Sequence, residues 1–107
     1  MKPRIHDDGS ILELDLHGVR VAEAERFIAN AVAVAASRGR DSVRVIHGYS
    51  TYADTSSSIK AVLERLLETD RLKPHVTAVA RLNEGVTLLG LMARARDARA
   101  ITLLDVW

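Results

Sequence analysis

Two apolar runs in this chain stop at the same dipeptide. Leu14-Asp15-Leu16 ends in His17-Gly18, and thirty residues later Val45-Ile46 ends in His47-Gly48. A stretch of helical spacing follows each. Strand, glycine turn and helix, twice over, make consecutive strands run parallel, because a helical crossover returns the chain to the same end of the sheet. That repeat excludes an all-helical bundle and an all-antiparallel sandwich.

The local patterns place each element. Ile11 to His17 alternates, with Leu12, Leu14 and Leu16 on one face and Glu13, Asp15 and His17 on the other. Val21 to Ser37 carries an apolar stripe of Ala24, Phe27, Ile28, Ala31, Val34 and Ala35. Gly39 is its expected cap. Ser42 to Ile46 is a short β-branched strand. Ile59, Val62, Leu63, Leu66 and Leu67 form a second helical stripe, with Thr55 or Ser56 as expected N-cap and Lys73-Pro74 as its end. Val76–Leu82 and Val86–Met92 read as a hairpin turning at Asn83-Glu84-Gly85. The segment Arg94 to Arg99 reads as a solvated surface stretch, and Ile101 to Trp107 as a fifth strand or docked tail, most naturally beside the hairpin.

The expected fold is therefore α/β, a two-layer α+β sandwich. Its order is β-α-β-α-β-β: a mixed four-stranded sheet, two helices on one face, and a strand-like C-terminal extension over 93–107. The chain is expected to be one domain over 1–107.

Composition narrows the function. Fifteen Lys and Arg against fourteen Asp and Glu leave a net charge of +1, so nucleic-acid binding needs a local site rather than a polycationic surface. The absence of cysteine removes disulfides and thiolate chemistry, and suits a cytoplasmic protein. Phe27 to Ala36 is too short to span a bilayer and contains Asn30, and the first nine residues lack the apolar segment of a signal peptide.

Parallel strands bring His17-Gly18 and His47-Gly48 to one edge of the sheet, where such folds bind ligands. The second loop leads into a helix N-terminus, which favours an anion, with Ser50, Thr51 and Lys60 at hand.

At this edge the residues resemble the small MutS-related (Smr) domain. The likeness rests on "LDLHG", on "VIHG" thirty residues later, on "IKAVLERLLE" and on the hairpin "ARLNEGVTLLGL", and covers residues 11 to 92. It implies a fold like the C-terminal domain of translation initiation factor three, and binding to DNA or RNA with nicking or endonuclease activity. On the matching positions Asp15 and His17 are the implied catalytic pair, and His47-Gly48 belongs to the implied nucleic-acid-contacting loop. From the chemistry of the residues His47 is expected to join the catalytic pair as a second proton donor or phosphate contact, and Gly18, Arg20, Gly48, Tyr49, Ser50, Thr51 and Lys60 are expected nucleic-acid contacts. The family's second motif continues with a basic residue and a glycine; here Tyr49 and Ser50 stand there. Losing the cation weakens phosphate attraction, and Tyr49 and Tyr52 offer base stacking instead.

In chemical terms a neutral imidazole suits phosphodiester cleavage. No spacing demands a metal, although a divalent ion such as Mg is compatible with Asp15, His17 and His47 together. The alternative is a non-catalytic binding module for nucleic acid or the ribosome. A monomer or weak homodimer is expected, without membrane attachment.

Overall fold

The structure is a computed structural model describing residues 2–48 and 58–107. Its elements are β1 (Arg4–Asp7), β2 (Ile11–Asp15), α1 (Val21–Ser37), β3 (Ser42–Ile46), α2 (Ile59–Leu66), β4 (Val76–Asn83), β5 (Val86–Leu91) and α3 (Leu103–Val106). The mixed sheet has five strands in the order β1-β2-β3-β5-β4, not the four expected. Among the described residues only β2 and β3 pair in parallel; the other neighbours are antiparallel.

Alternation decides which face each strand buries. Leu12 and Leu14 of β2 sit level with Val43 and Val45 of β3 and are fully buried with Leu89 of β5. α1 covers this face through Ala24, Phe27, Ile28, Ala31 and Ala35, and α2 adds Ile59, Val62, Leu63 and Leu66. Val34, expected in the stripe, is only partly buried, while Ala29, Val32 and Ala36 are buried. The many alanines let α1 lie close to the sheet. Gly39 ends α1 as expected: the Gly39 amide bonds the Ala36 carbonyl and the Arg40 amide bonds that of Ala35, a Schellman closure. A Cβ on Gly39 would lie 2.3 Å from the Ala95 carbonyl oxygen, so no larger residue fits. The N-cap of α2 is Ser58, which accepts from the Ala61 amide at 3.1 Å, rather than Thr55 or Ser56, which lie outside the described residues.

The chain's two ends depart from expectation together. β1 is an added edge strand, and it is held by an ion pair taken out of water. The Arg40 and Asp7 side chains are 1% and 2% exposed. Arg40 Nε and Nη2 donate to the two Asp7 oxygens, each at 2.8 Å. Its remaining donors reach the carbonyls of Arg38, Asp97 and Arg99 at 2.9, 2.6 and 2.7 Å, so all five N–H groups are used. Asp7 in turn accepts from the amides of Gly9 and Ile101. Arg94 to Arg96 are exposed as expected of a solvated stretch, yet the carbonyls just beyond them are committed to Arg40.

Ile101 to Trp107 forms no strand. Thr102 and Asp105 close a capping box, with the Thr102 amide donating to Asp105 Oδ2 at 2.8 Å, and this starts the single turn of α3. α3 docks on α1 and not on the hairpin: Asn30 Nδ2 donates to the Val106 carbonyl at 3.0 Å, and the Phe27 and Trp107 rings lie 5.4 Å apart. Trp107 remains half exposed, under the Arg26 guanidinium.

Breaking the buried pair from one side leaves an unpaired charge in the interior. Asp7→Asn is expected to destabilise by about 3–5 kcal/mol in urea or thermal unfolding. Burial alone raises the Asp7 pKa, but the hydrogen bonds from Arg40, Ile101 and Gly9 outweigh it and lower it from 3.8 to about 2. Because the folded value is the lower one, this stabilisation is complete above the unfolded value and disappears as pH falls from about 4 toward 2. Unfolding free energy measured against pH should drop across that window in the wild type by roughly 2 kcal/mol more than in Asp7→Asn.

Candidate active site at the parallel-strand edge

The parallel ladder sets Asp15 level with Ile46, and the Leu16 amide continues it by donating to the Ile46 carbonyl at 2.8 Å. His17-Gly18 and His47-Gly48 therefore leave the sheet side by side, as expected. Both glycines are left-handed, with φ of 82° at Gly18 and 78° at Gly48. This is a conformation that L side chains adopt at a cost of about 1–2 kcal/mol. A Cβ on Gly48 would stand 3.8 Å from the Cβ of His17, an ordinary contact, so conformation and not space requires the glycine there.

The two histidines differ in fate because they differ in phase. Leu12, Leu14 and Leu16 point inward, so His17 lies one step out and is exposed. Val43 and Val45 point inward, so His47 is in phase with the core and is 6% exposed. Its Nε2 lies 3.0 Å from Thr87 Oγ1 and its Nδ1 3.2 Å from the Gly48 carbonyl. A carbonyl can only accept, so Nδ1 carries the proton and Nε2 accepts from the Thr87 hydroxyl. Burial lowers the His47 pKa, against the raising effect of the Gly48 carbonyl; Lys60 lowers it further and Glu64 opposes. The amides of His47 and Gly48 both donate to the Gly85 carbonyl, at 3.0 and 3.1 Å, which ties this motif to the hairpin turn.

The His17 ring has no hydrogen-bond partner among the described residues. Asp15 does not hold it; Oδ1 accepts the His17 backbone amide at 3.0 Å and fixes the turn. Gly18 and Arg20 continue this turn into α1, whose N-terminus Arg20 leaves without a side-chain cap. Lys60 lies on the first turn of α2, close enough to act on the charge of His47. Tyr49, Ser50 and Thr51 lie outside the described residues, as does Tyr52. Asp15, His17, Gly18, Arg20 and Gly48 thus share one edge, while His47 stands behind them. Among the described residues no group of three His, Cys, Asp or Glu side chains could hold a metal. Asp15, His17 and His47 do not form such a set, because His47 commits both ring nitrogens inside the protein.

Sequence reasoning missed Thr87, Glu64 and Arg81. Thr87 is fully buried among Leu89 and Leu91, and a hydroxyl in the buried phase of a strand was the available signal. Glu64 receives Arg81 Nε and Nη2 at 2.7 and 2.6 Å, pinning α2 to β4 beside His47.

A family model, the Smr domain, matches residues 14–90. The chain belongs to the Smr domain family. Its members are associated with nucleic-acid binding and nuclease activity. Among curated proteins and among solved structures, nothing matches the chain. The matched span of this Smr domain runs from the start of "LDLHG" almost to the end of β5, so the edge just described lies wholly within it. No helix among the described residues is long and apolar enough to cross a membrane.

His47→Ala is expected to cost about 1–3 kcal/mol, through the Thr87 hydroxyl left unsatisfied. A folded-state pKa below the ordinary 6.5 also has a signed consequence. Folding then excludes a proton that the unfolded chain binds, so stability should fall as pH drops below about 6.5. Thermal melts between pH 7.5 and 5 should show that slope in the wild type and a smaller one in His47→Gln.

Proposed function

We propose that this Smr domain binds DNA or RNA and cleaves phosphodiester bonds as an endonuclease, with His17 as the group that moves the proton. One observation carries the reading: the edge presents a solvent-facing imidazole, without a partner among the described residues, on a turn braced by the Asp15 carboxylate. A neutral imidazole takes the proton from attacking water or from a ribose 2′-hydroxyl. The bond from phosphorus to the leaving oxygen then breaks, and that oxygen is protonated by the imidazolium or by solvent. Asp15 acts as a positioning residue, since it holds the His17 backbone. His47 acts through the fold: it keeps the Gly48 backbone beside His17 and bonds Thr87 with its ring. The open N-terminus of α1 favours the negative charge that develops at phosphorus.

A second reading is a binding module without cleavage, with nucleic acid or the ribosome as its partner. The inward turn of His47 favours it, because one imidazole rather than two is left at the edge, and so does the Tyr49-Ser50 continuation of the second motif.

Labelled single- and double-stranded DNA and RNA, incubated with the protein with and without EDTA, distinguish the two. Cleavage is expected, and His17→Ala should lower its rate by about 10²–10⁴-fold while leaving the melting curve unchanged. Binding without cleavage in the wild type establishes the second reading. Cleavage unaffected by His17→Ala removes His17 from the chemistry.

A further inference from the structure

The face of the sheet away from the helices carries charge in a definite arrangement. Ile5 and Asp7 of β1 turn toward the core, so Arg4 and His6 point the other way. The antiparallel register sets Arg4 opposite Asp15 and His6 opposite Glu13. The parallel register carries Glu13 on to Arg44. Arg4 and Arg44 are both exposed, and neither joins an ion pair among the described residues, where six other arginines do. Arg4 therefore stands on the neighbouring strand, directly opposite the residue whose carboxylate braces His17, with adjacent strands roughly 4.8 Å apart.

A phosphodiester that approaches His17 meets the field of Asp15, and like charges repel. Among the described residues no group of three His, Cys, Asp or Glu side chains could hold a compensating metal ion. The adjacent guanidinium supplies the compensating cation, with a fork of donors suited to phosphate oxygens. β1 lies outside residues 14–90, so this cation is an addition to the matched domain, delivered by the strand that the Asp7–Arg40 pair holds in place. We propose that Arg4 is a phosphate-contacting, positioning residue of the His17 site, and that Arg44 continues the contact, so that the nucleic-acid backbone crosses the open face of the sheet. This rests on the nucleic-acid reading above.

Fluorescence anisotropy of labelled single-stranded DNA and RNA oligonucleotides of one sequence, titrated at several salt concentrations, tests it. Removing one phosphate-binding cation lowers the slope of log affinity against log salt by about 0.7 on a single strand. Arg4→Ala and Arg44→Ala should each lower the slope by about that amount and weaken binding several-fold at low salt. Arg4→Lys should keep the wild-type slope, because the charge remains. Lys73→Ala, on the groove between α2 and β4 on the helix side, should change neither quantity. Thermal melts check that each variant is folded. A wild-type slope in Arg4→Ala or in Arg44→Ala overturns the proposal and leaves the family-level reading standing. A wild-type protein that binds neither oligonucleotide at low salt overturns both.

Discussion

The buried pair of Arg40 and Asp7 is the constraint on which the periphery of this fold depends. Two opposite charges inside a protein are tolerable only when every hydrogen-bonding position around them is filled. Here Arg40 directs two donors to Asp7 and three to main-chain carbonyls, and Asp7 gives its remaining acceptor capacity to two amides. That requirement brings together β1, the end of α1 and the chain from Asp97 to Ile101. An unpaired β2 would expose a row of backbone groups at the sheet's edge. β1 covers them, and in doing so sets Arg4 beside Asp15.

The two His-Gly motifs look equivalent along the chain and are not equivalent in the fold. Each glycine turns its strand out of the sheet in a left-handed conformation. Parallel pairing then sets the two turns against each other. The side chains diverge because one histidine follows its strand's apolar phase and the other opposes it. His47 becomes a buried strut between β3 and β5, neutral and bonded to Thr87. His17 stays in solvent, its ring unbonded among the described residues. Among the described residues, one solvent-facing imidazole backed by a buried one is what the edge offers. The hairpin turn is tied to the buried histidine through the Gly85 carbonyl.

Much of the scaffold was legible because its causes are local. The alternation of Leu12, Leu14 and Leu16, the alanine-rich stripe of α1, the Ile59 to Leu66 stripe of α2 and the Glu84-Gly85 turn all declare themselves within a few residues. The capping box at Thr102 and Asp105 was equally local, and read correctly it would have made Ile101 to Trp107 a helical turn and not a strand. The phase of His47 was present too, in the alternation of Val43, Arg44 and Val45, but Ile46 extends the apolar run and blurs it. β1 was not legible, because an inward-facing Asp7 contradicts a buried edge unless its partner is known.

The sequence by itself determined the order of the elements from β2 to β5, the apolar faces of these helices and strands, and the arrival of both His-Gly motifs at one edge. These follow from periodicity and from the rule that a crossover returns parallel strands to the same end. The tertiary structure alone decided which histidine faces the solvent and which is bonded inside, and where the two ends of the chain are fastened. Those outcomes rest on partners distant along the chain: Thr87 lies 40 residues from His47, and Arg40 lies 33 residues from Asp7 and 59 from Arg99. A buried hydroxyl or carboxylate is stable only where such a partner completes its hydrogen bonds, and no local pattern specifies which residue that will be.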